Sequence, residues 1–131
     1  MTTAAGTITR MDADALRDCC LAFAGAVEEF PFNAETSVFK VAGKMFALSA
    51  LDREPLAVSV KCEPGLAVAL RASYDAISPG YHLNKRHWNT ITLDGSLDDQ
   101  MVCDLIEDSY DLVVSALPRR TRQALRWQPE M

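Results

Sequence analysis

The ten residues from Tyr81 to Thr90 hold the densest group of side chains in this sequence that could recognise a ligand. They include both histidines, an adjacent lysine and arginine, and one of the two tryptophans. Lysine and arginine contact phosphates, asparagine and histidine donate hydrogen bonds, and aromatic rings stack on bases. Long irregular loops often carry function. The segment therefore indicates a binding site for an anionic partner.

Some of these residues also have a structural interpretation. Trp88 precedes a predicted strand and is as compatible with a place in the core as with base stacking. Tyr81 could cover the edge of the sheet, with the neighbouring charges solvated. Lys85 and Arg86 offer no obvious core packing, which favours a role in binding.

No set of residues typical of an enzyme or a metal site is visible in the sequence. His82 and His87 are five residues apart with no cysteine nearby, so structural or hydrogen-bonding roles are favoured over metal binding. Cys62 has no nearby histidine, and Ser78 lies in a Ser-Pro-Gly turn without the surroundings of a catalytic serine. Glycine-rich phosphate-binding and dinucleotide motifs are also absent. The sequence therefore predicts a protein that is not an enzyme and uses no metal or cofactor, and an enzyme is the third and weakest alternative.

Charge is distributed unevenly along the chain, whose formal net charge is −5. Residues 36–93 carry seven basic and four acidic groups, whereas residues 94–117 carry seven acidic groups and no basic one. Residues 1–35 are also acidic, with a net charge of −4, and residues 118–131 carry a net charge of +3. A general polycation that coats nucleic acid is disfavoured, but an anion would be guided to the middle of the chain. The acidic residues of the last long helix are interpreted as a solvated face.

Apolar residues at helical spacing predict two main helices. The first runs from about Met11 to Ala24, with Thr9 as its N-cap, and the second begins after Ser96 as N-cap and ends before Pro118. The predicted buried stripe of the second helix is Met101, Leu105, Ser109, Leu112 and Ala116, widened by Val102, Ile106 and Val113. Pro64-Gly65 opens a short helix through Leu70, and residues 119–126 could form a short basic helix.

Alternating apolar residues predict four strands. Three follow one another, at Ser37–Val41, Lys44–Ala50 and Leu56–Lys61, and the fourth is Asn89–Leu93. Pairing Val41 with Lys44 would place Phe39 opposite Phe46, so the first hairpin should present an apolar face of Phe39, Val41, Phe46 and Leu48. Residues 73–88 are predicted to be irregular.

The order of these elements indicates an α+β fold. Strands joined by short links pair antiparallel, and two amphipathic helices can cover one face of the sheet. We therefore predict a two-layer sandwich: an antiparallel sheet covered on one face by the N-terminal and C-terminal helices, with the other face open to solvent. The length of 131 residues is that of a single domain, 1–131.

Four cysteines at positions 19, 20, 62 and 103 show no spacing typical of a metal site, and a chain of this size does not need disulfides. No signal-peptide pattern or membrane-spanning run is visible. A cytoplasmic protein with reduced thiols is expected.

Several motifs resemble the MmcQ/YjbR family. They are Lys61-Cys62-Glu63-Pro64, the run from Ser78 to Thr90, and Asp108–Val113, with further likeness at Glu28–Phe32 and Val38–Ala47. The likeness covers roughly residues 8–120, and the Pro-Gly-Tyr-His…His-Trp-Asn-Thr run is its most specific part. The chain departs from the family at Phe23-Ala24-Gly25, where many members read Leu-Pro-Gly, and at Leu83, where members often have Met.

The resemblance implies a frataxin-like (CyaY-like) α+β fold and a DNA-binding function. Lys40 and Lys61 are expected to project from the open sheet face, with the loop at its border. The predicted nucleic-acid-binding residues are Lys40, Lys61, His82, Asn84, Lys85, Arg86, Trp88 and Thr90. The alternative is a protein-interaction or small-anion-binding module that uses the same loop.

Overall fold

The structure, a computed structural model, describes residues 11–126. It contains four helices and six strands in the described part of the chain. In chain order these are α1 (Ala13–Leu21), β1 (Ala26–Glu29), β2 (Ser37–Val41), β3 (Lys44–Ser49), β4 (Ala57–Lys61), α2 (Pro64–Ser73), β5 (Ile77–Pro79), β6 (Trp88–Thr92), α3 (Asp99–Ser115) and α4 (Arg119–Ala124).

The six strands form one antiparallel sheet in the order β1-β2-β3-β4-β6-β5. Helix α3 packs over β3 and β4, and α1 packs beside β1. The inward faces of the strands and helices form one apolar core, centred on the fully buried side chains of Leu16, Phe39, Phe46, Val58, Ile91 and Ile106. The predicted α+β class is confirmed, because the helices pack on the sheet in a two-layer arrangement.

Two strands were missed by the sequence prediction, and they form the two edges of the sheet. β1 has only four residues, two of them acidic, and Glu28 turns its carboxylate to the Arg17 guanidinium at 2.7 Å and the Ser37 hydroxyl at 2.6 Å. β5 has three residues and ends at Pro79, which is tolerated at a sheet edge. Residues 73–88 are therefore not wholly irregular. Strands this short carry too little alternation to be recognised in sequence.

A β-bulge in β3 corrects the predicted hairpin. Val41 pairs with Lys44 as predicted, but Phe39 pairs with Ala47 rather than with Phe46. The extra residue places both Phe46 and Ala47 on the core side, because two residues of a bulged strand oppose one of its partner. Leu48 therefore lies on the open face of the sheet and not in the core.

Next to the bulge, a helix side chain bonds to backbone groups of β3 and β4. The pairing of β3 with β4 ends at Ala47 and Val60, so Phe46 and Lys61 are not paired with each other. The buried Ser109 hydroxyl of α3 donates to the Phe46 carbonyl at 2.5 Å and accepts from the Lys61 amide at 2.8 Å. One serine thus fastens the long helix to both strands beneath it.

The buried side of α3 differs from the predicted stripe. Leu112 is 37% exposed, and Met101 and Leu105 are only partly buried. Tyr110, which the prediction omitted, is 4% exposed and donates its hydroxyl to the Ala24 carbonyl at 2.6 Å. The side chains that α3 buries are Val102, Ile106, Ser109, Tyr110, Val113 and Val114.

The helix starts are also corrected. α1 begins after Asp12, whose carboxylate accepts from the Ala15 amide, whereas the predicted cap Thr9 lies outside the described residues. α3 begins after Asp98 and not after Ser96, because Ser96 bonds instead to the Asp94 carboxylate through its amide and hydroxyl. In both cases an aspartate nearer the helix accepts from its N-terminal amides.

All four cysteines are free thiols in the structure. The Cys19 sulfur in α1 lies 3.0 Å from the Cys103 sulfur in α3, so these two thiols contact each other across the helix layer. Burial raises the pKa of Cys19 to about 12, with further contributions from the hydrogen bond to Cys103 and from nearby negative charge. The expectation of reduced thiols stays a prediction.

We expect Ser109→Ala to lower the free energy of unfolding by about 1–3 kcal/mol, because it leaves buried backbone groups of β3 and β4 unsatisfied. Ser115→Ala is the matched control. Its hydroxyl bonds only to the Leu112 carbonyl of the same helix and is exposed, so a change within about 0.5 kcal/mol is expected. Urea unfolding measures both, and equal effects would contradict the bridging role of Ser109.

Candidate functional site

The segment between β5 and β6 folds into a compact loop. The Gly80 amide donates to the Trp88 carbonyl at 2.9 Å, and the His87 carbonyl accepts from the Cys62 amide at 2.7 Å. A Cβ on Gly80 would lie 2.7 Å from the Cβ of Trp88, a distance that side chains do not adopt. Glycine at position 80 therefore allows the two sides of the loop to meet.

Two of the predicted binding residues in this loop make internal hydrogen bonds. The Lys85 ammonium donates to the Gly80 carbonyl at 2.9 Å, and the Asn84 side-chain oxygen accepts from the Arg86 amide at 2.9 Å. These bonds satisfy polar groups of the loop itself. This role was not predictable from the sequence, because the partners are backbone atoms.

Helix α2 supports the loop from outside. The Arg71 guanidinium donates to the Lys85 carbonyl and to the Asn89 side-chain oxygen, each at 2.9 Å. Asn89 is 1% exposed and donates in turn to the Ala67 carbonyl of α2 at 3.3 Å. The loop is thus held by a polar network that crosses from α2 to β6.

The other two predicted lysines lie on strands and not in the loop. The Lys40 ammonium forms an ion pair with Glu29 at 3.0 Å, near the β1 edge. Lys61 ends β4 and pairs with Trp88, which is partly buried where β6 begins. Trp88 contributes to the sheet, in line with its structural interpretation.

The open face of the sheet instead carries a cleft of about 540 Å³. Its floor is formed by β3, β4 and β6, and its walls by the three links β1–β2, β3–β4 and β5–β6. The lining residues are Phe32, Asn33, Thr36, Leu48, Ser49, Ala50, Arg53, Pro55, Ala57, Ser59, Tyr81, His82, Leu83 and Thr90. This volume lies within the range of small-molecule sites.

The floor of the cleft combines apolar side chains with hydroxyls that already have hydrogen-bond partners, and the Ser49 hydroxyl donates to the Ala57 carbonyl. The Ser59 and Thr90 hydroxyls are 2.8 Å apart, and Thr90 also accepts from the Tyr81 amide at 3.0 Å. The latter bond holds the loop over the sheet. Leu48, which lies on this face because of the bulge, adds apolar surface beside the hydroxyls.

The charge of the lining is positive. Arg53 is its one residue with a formal charge at neutral pH, and no aspartate or glutamate of the described residues is among the lining. Arg53 is exposed and its guanidinium forms no ion pair within residues 11–126. The exposed Asp52 and Glu54 flank it in sequence but do not line the cleft.

An aromatic pair lies at the wall formed by the loop. The Tyr81 and His82 ring centroids are 4.0 Å apart, and Tyr81 is 66% exposed. His82 has a φ of 58°, in the left-handed region that few residues other than glycine adopt. Phe32, 65% exposed, lines the cleft from the β1–β2 link.

Of the eight predicted site residues, the cleft brings together His82 and Thr90. Lys40, Lys61, Asn84, Lys85, Arg86 and Trp88 do not line it. The sequence analysis did not identify Arg53, because a residue between two acidic neighbours is typical of a solvated loop. It also did not identify Phe32 as a site residue, although Phe32 lies in the Phe-Pro-Phe run at positions 30–32.

Within residues 11–126 no group of three or more His, Cys, Asp or Glu side chains is placed to hold a metal ion. No helix in that part of the chain combines the length and apolar composition needed to span a membrane.

Comparison with known proteins matches this fold and sequence to one family. The family model described as YjbR matches residues 21–112. The chain belongs to the YjbR family. The Escherichia coli K12 protein described as uncharacterized protein YjbR is 37% identical over 106 residues, which cover 81% of this chain and 90% of that protein. Uncharacterized protein YbdF of Escherichia coli O157:H7 is 36% identical over 97 residues, covering 74% and 80%.

A solved YjbR-like structure extends the match to most of the chain. The crystal structure of Deinococcus radiodurans protein DR2400, with the domain description DUF419, superposes with a TM-score of 0.86 at 36% identity. The superposition covers 95% of this chain and 94% of that one. The family resemblance inferred from the sequence motifs is thus confirmed at the level of YjbR.

Adjacent loop cations should differ in their effect on stability. Lys85→Ala removes the bond to the Gly80 carbonyl, so we expect a loss of about 0.5–1.5 kcal/mol. Arg86→Ala is the matched neighbour, because its exposed side chain has no described partner, and it should change stability by less than about 0.5 kcal/mol. Thermal unfolding of both variants measures this, and a larger loss in Arg86→Ala would refute the assignment.

Proposed function

We propose that this protein is a non-enzymatic binding module that holds a small anionic ligand in the cleft of the open sheet face. The observation that carries the proposal is the lining: a cleft of about 540 Å³ whose one formally charged residue is Arg53, in a chain of net charge −5. A cation beside low-dielectric walls attracts anions more strongly than the same cation on a flat surface.

The distribution of charge over the fold supports this site. The acidic residues of α3 lie in the helix layer, on the opposite side of the sheet from the cleft. An anion is therefore repelled by the helix face and meets Arg53 on the open face. The hydroxyls of the floor already have partners within the protein, which leaves Arg53 as the main group for recognising charge.

The fluorescent anion 8-anilinonaphthalene-1-sulfonate tests this function. We expect saturable binding of one molecule per chain, with a rise in fluorescence on entry into the apolar cleft. Ala57→Phe fills the floor and should abolish that binding, whereas Ala116→Phe, at the exposed end of α3, should leave it unchanged. Binding that survives Ala57→Phe would remove the cleft as the site.

A second candidate is DNA binding, the function implied by the family resemblance. The exposed Tyr81–His82 ring pair supports it, because aromatic rings stack on bases, and Arg86 is an exposed cation in the same loop. The internal bonds of Lys85 and the ion pair of Lys40 leave fewer cations for phosphates. A frataxin-like relationship likewise stays a prediction.

Salt titration separates the two candidates. If DNA binds through phosphate contacts, its affinity for a labelled oligonucleotide falls as salt rises, and Arg86→Ala lowers the salt slope by about one unit. Arg120→Ala, an exposed arginine of α4, is the control and should leave the slope unchanged. Fluorescence anisotropy that detects no salt-dependent binding would eliminate DNA as the ligand.

A further inference from the structure

The residues that line the cleft indicate which class of ligand it binds. This inference rests on the proposed function. We infer that the ligand is a planar aromatic molecule with a single carboxylate, whose ring packs in the cleft and whose carboxylate pairs with Arg53. Three properties of the lining lead to this class: its charge, its aromatic side chains and its lack of free polar groups on the floor.

Charge limits the ligand to a monoanion. Arg53 is the one formally charged lining residue, and its guanidinium is free of ion pairs within the described residues. A guanidinium matches a carboxylate through two parallel hydrogen bonds, which gives both strength and orientation. A phosphate dianion or a polyanion would bring negative charge that no further lining cation neutralises.

The aromatic side chains favour a flat ring over a flexible chain. Tyr81 and Phe32 expose about two thirds of their surface, 66% and 65%, and they line the cleft from two different links. The His82 ring contacts Tyr81 at 4.0 Å. Aromatic rings pack against one another in offset or edge-to-face geometry and contribute beyond their buried area. Exposed rings at a cleft mouth provide that surface for a planar ligand.

The floor favours an apolar ligand body. Leu48 and Ala57 are apolar, and the floor hydroxyls already have partners: Ser49 donates to the Ala57 carbonyl, and Ser59 and Thr90 bond to each other, with Thr90 also accepting from the Tyr81 amide. A polyhydroxylated ligand such as a sugar would lose bonds to water without gaining enough partners there. Specificity therefore comes from one anionic contact and from ring packing.

Calorimetric titration of the full chain with four probes tests this class. 2-Naphthoate has the ring and the carboxylate, 2-naphthamide has the ring alone, acetate has the carboxylate alone, and inorganic phosphate is a multivalent anion. We expect 2-naphthoate to bind about ten- to a hundredfold more tightly than 2-naphthamide, the factor of a charged hydrogen-bonded contact. Acetate and phosphate should show no measurable binding.

Two variants and one control test the contacts of the ligand with Arg53 and Tyr81. Arg53→Gln should weaken 2-naphthoate by about tenfold or more and leave 2-naphthamide unchanged, whereas the matched Arg120→Gln should affect neither. Tyr81→Ala should weaken both naphthalene probes. The Arg53 and Tyr81 side chains are exposed, so we expect their replacement to leave the thermal midpoint unchanged, which checks that both variants are folded.

The outcomes distinguish the ligand class from the function. If phosphate or acetate binds as tightly as 2-naphthoate, the aromatic carboxylate class is overturned while small-anion binding stands. If 2-naphthamide equals 2-naphthoate, or Arg53→Gln has no effect, the carboxylate contact is overturned. If none of these probes and no 8-anilinonaphthalene-1-sulfonate binds, the proposed function itself fails.

Discussion

The hydroxyl of Ser109 makes the connection on which this arrangement of sheet and helices depends. The bulge in β3 lies in its pairing with β2, and the pairing of β3 with β4 ends at Ala47 and Val60, so Phe46 and Lys61 are not paired with each other. Buried backbone groups without partners are costly, and Ser109 satisfies both from the middle of α3. The helix is thereby fixed in position along the sheet and in rotation about its own axis.

The same irregularity shapes the opposite face. Because Phe46 and Ala47 both turn toward the helices, Leu48 turns away from them and becomes part of the cleft floor. The core gains Phe46, which packs against Phe23 and Tyr110 with centroid distances of 6.1 and 5.4 Å. One extra residue in one strand thus serves the core and the cleft together.

The sequence predicted those parts of the fold that local patterns determine. The alternation of Val58, Val60 and Ile91 identified the inward faces of two central strands, and Val41–Lys44 was the correct hairpin pair. The bulge was not predictable, because the hydroxyl that bonds to its Phe46 carbonyl belongs to Ser109, 63 residues away in the chain. Long-range contacts of this kind leave no periodic signal.

The candidate site was predictable only in part for a related reason. The loop at 81–90 stood out by composition, and it does supply one wall of the cleft. Its lysine and asparagine turned out to bond within the loop, since a sequence does not reveal which backbone carbonyls need a donor. The cleft itself gathers residues from three separate links, and Arg53 becomes notable only when its neighbours in space are known.

The two edges of the sheet have a consequence for how the protein behaves among other chains. At one edge, β1 offers only four residues for pairing with a strand of another chain, and Pro31 follows two positions after its end. At the other edge, β5 offers three residues, of which the last is a proline. Short edges interrupted by proline and charge offer little template for intermolecular strand pairing. The architecture therefore leaves one face of the sheet open to solvent, while its two backbone edges are too short and interrupted to serve as templates for aggregation.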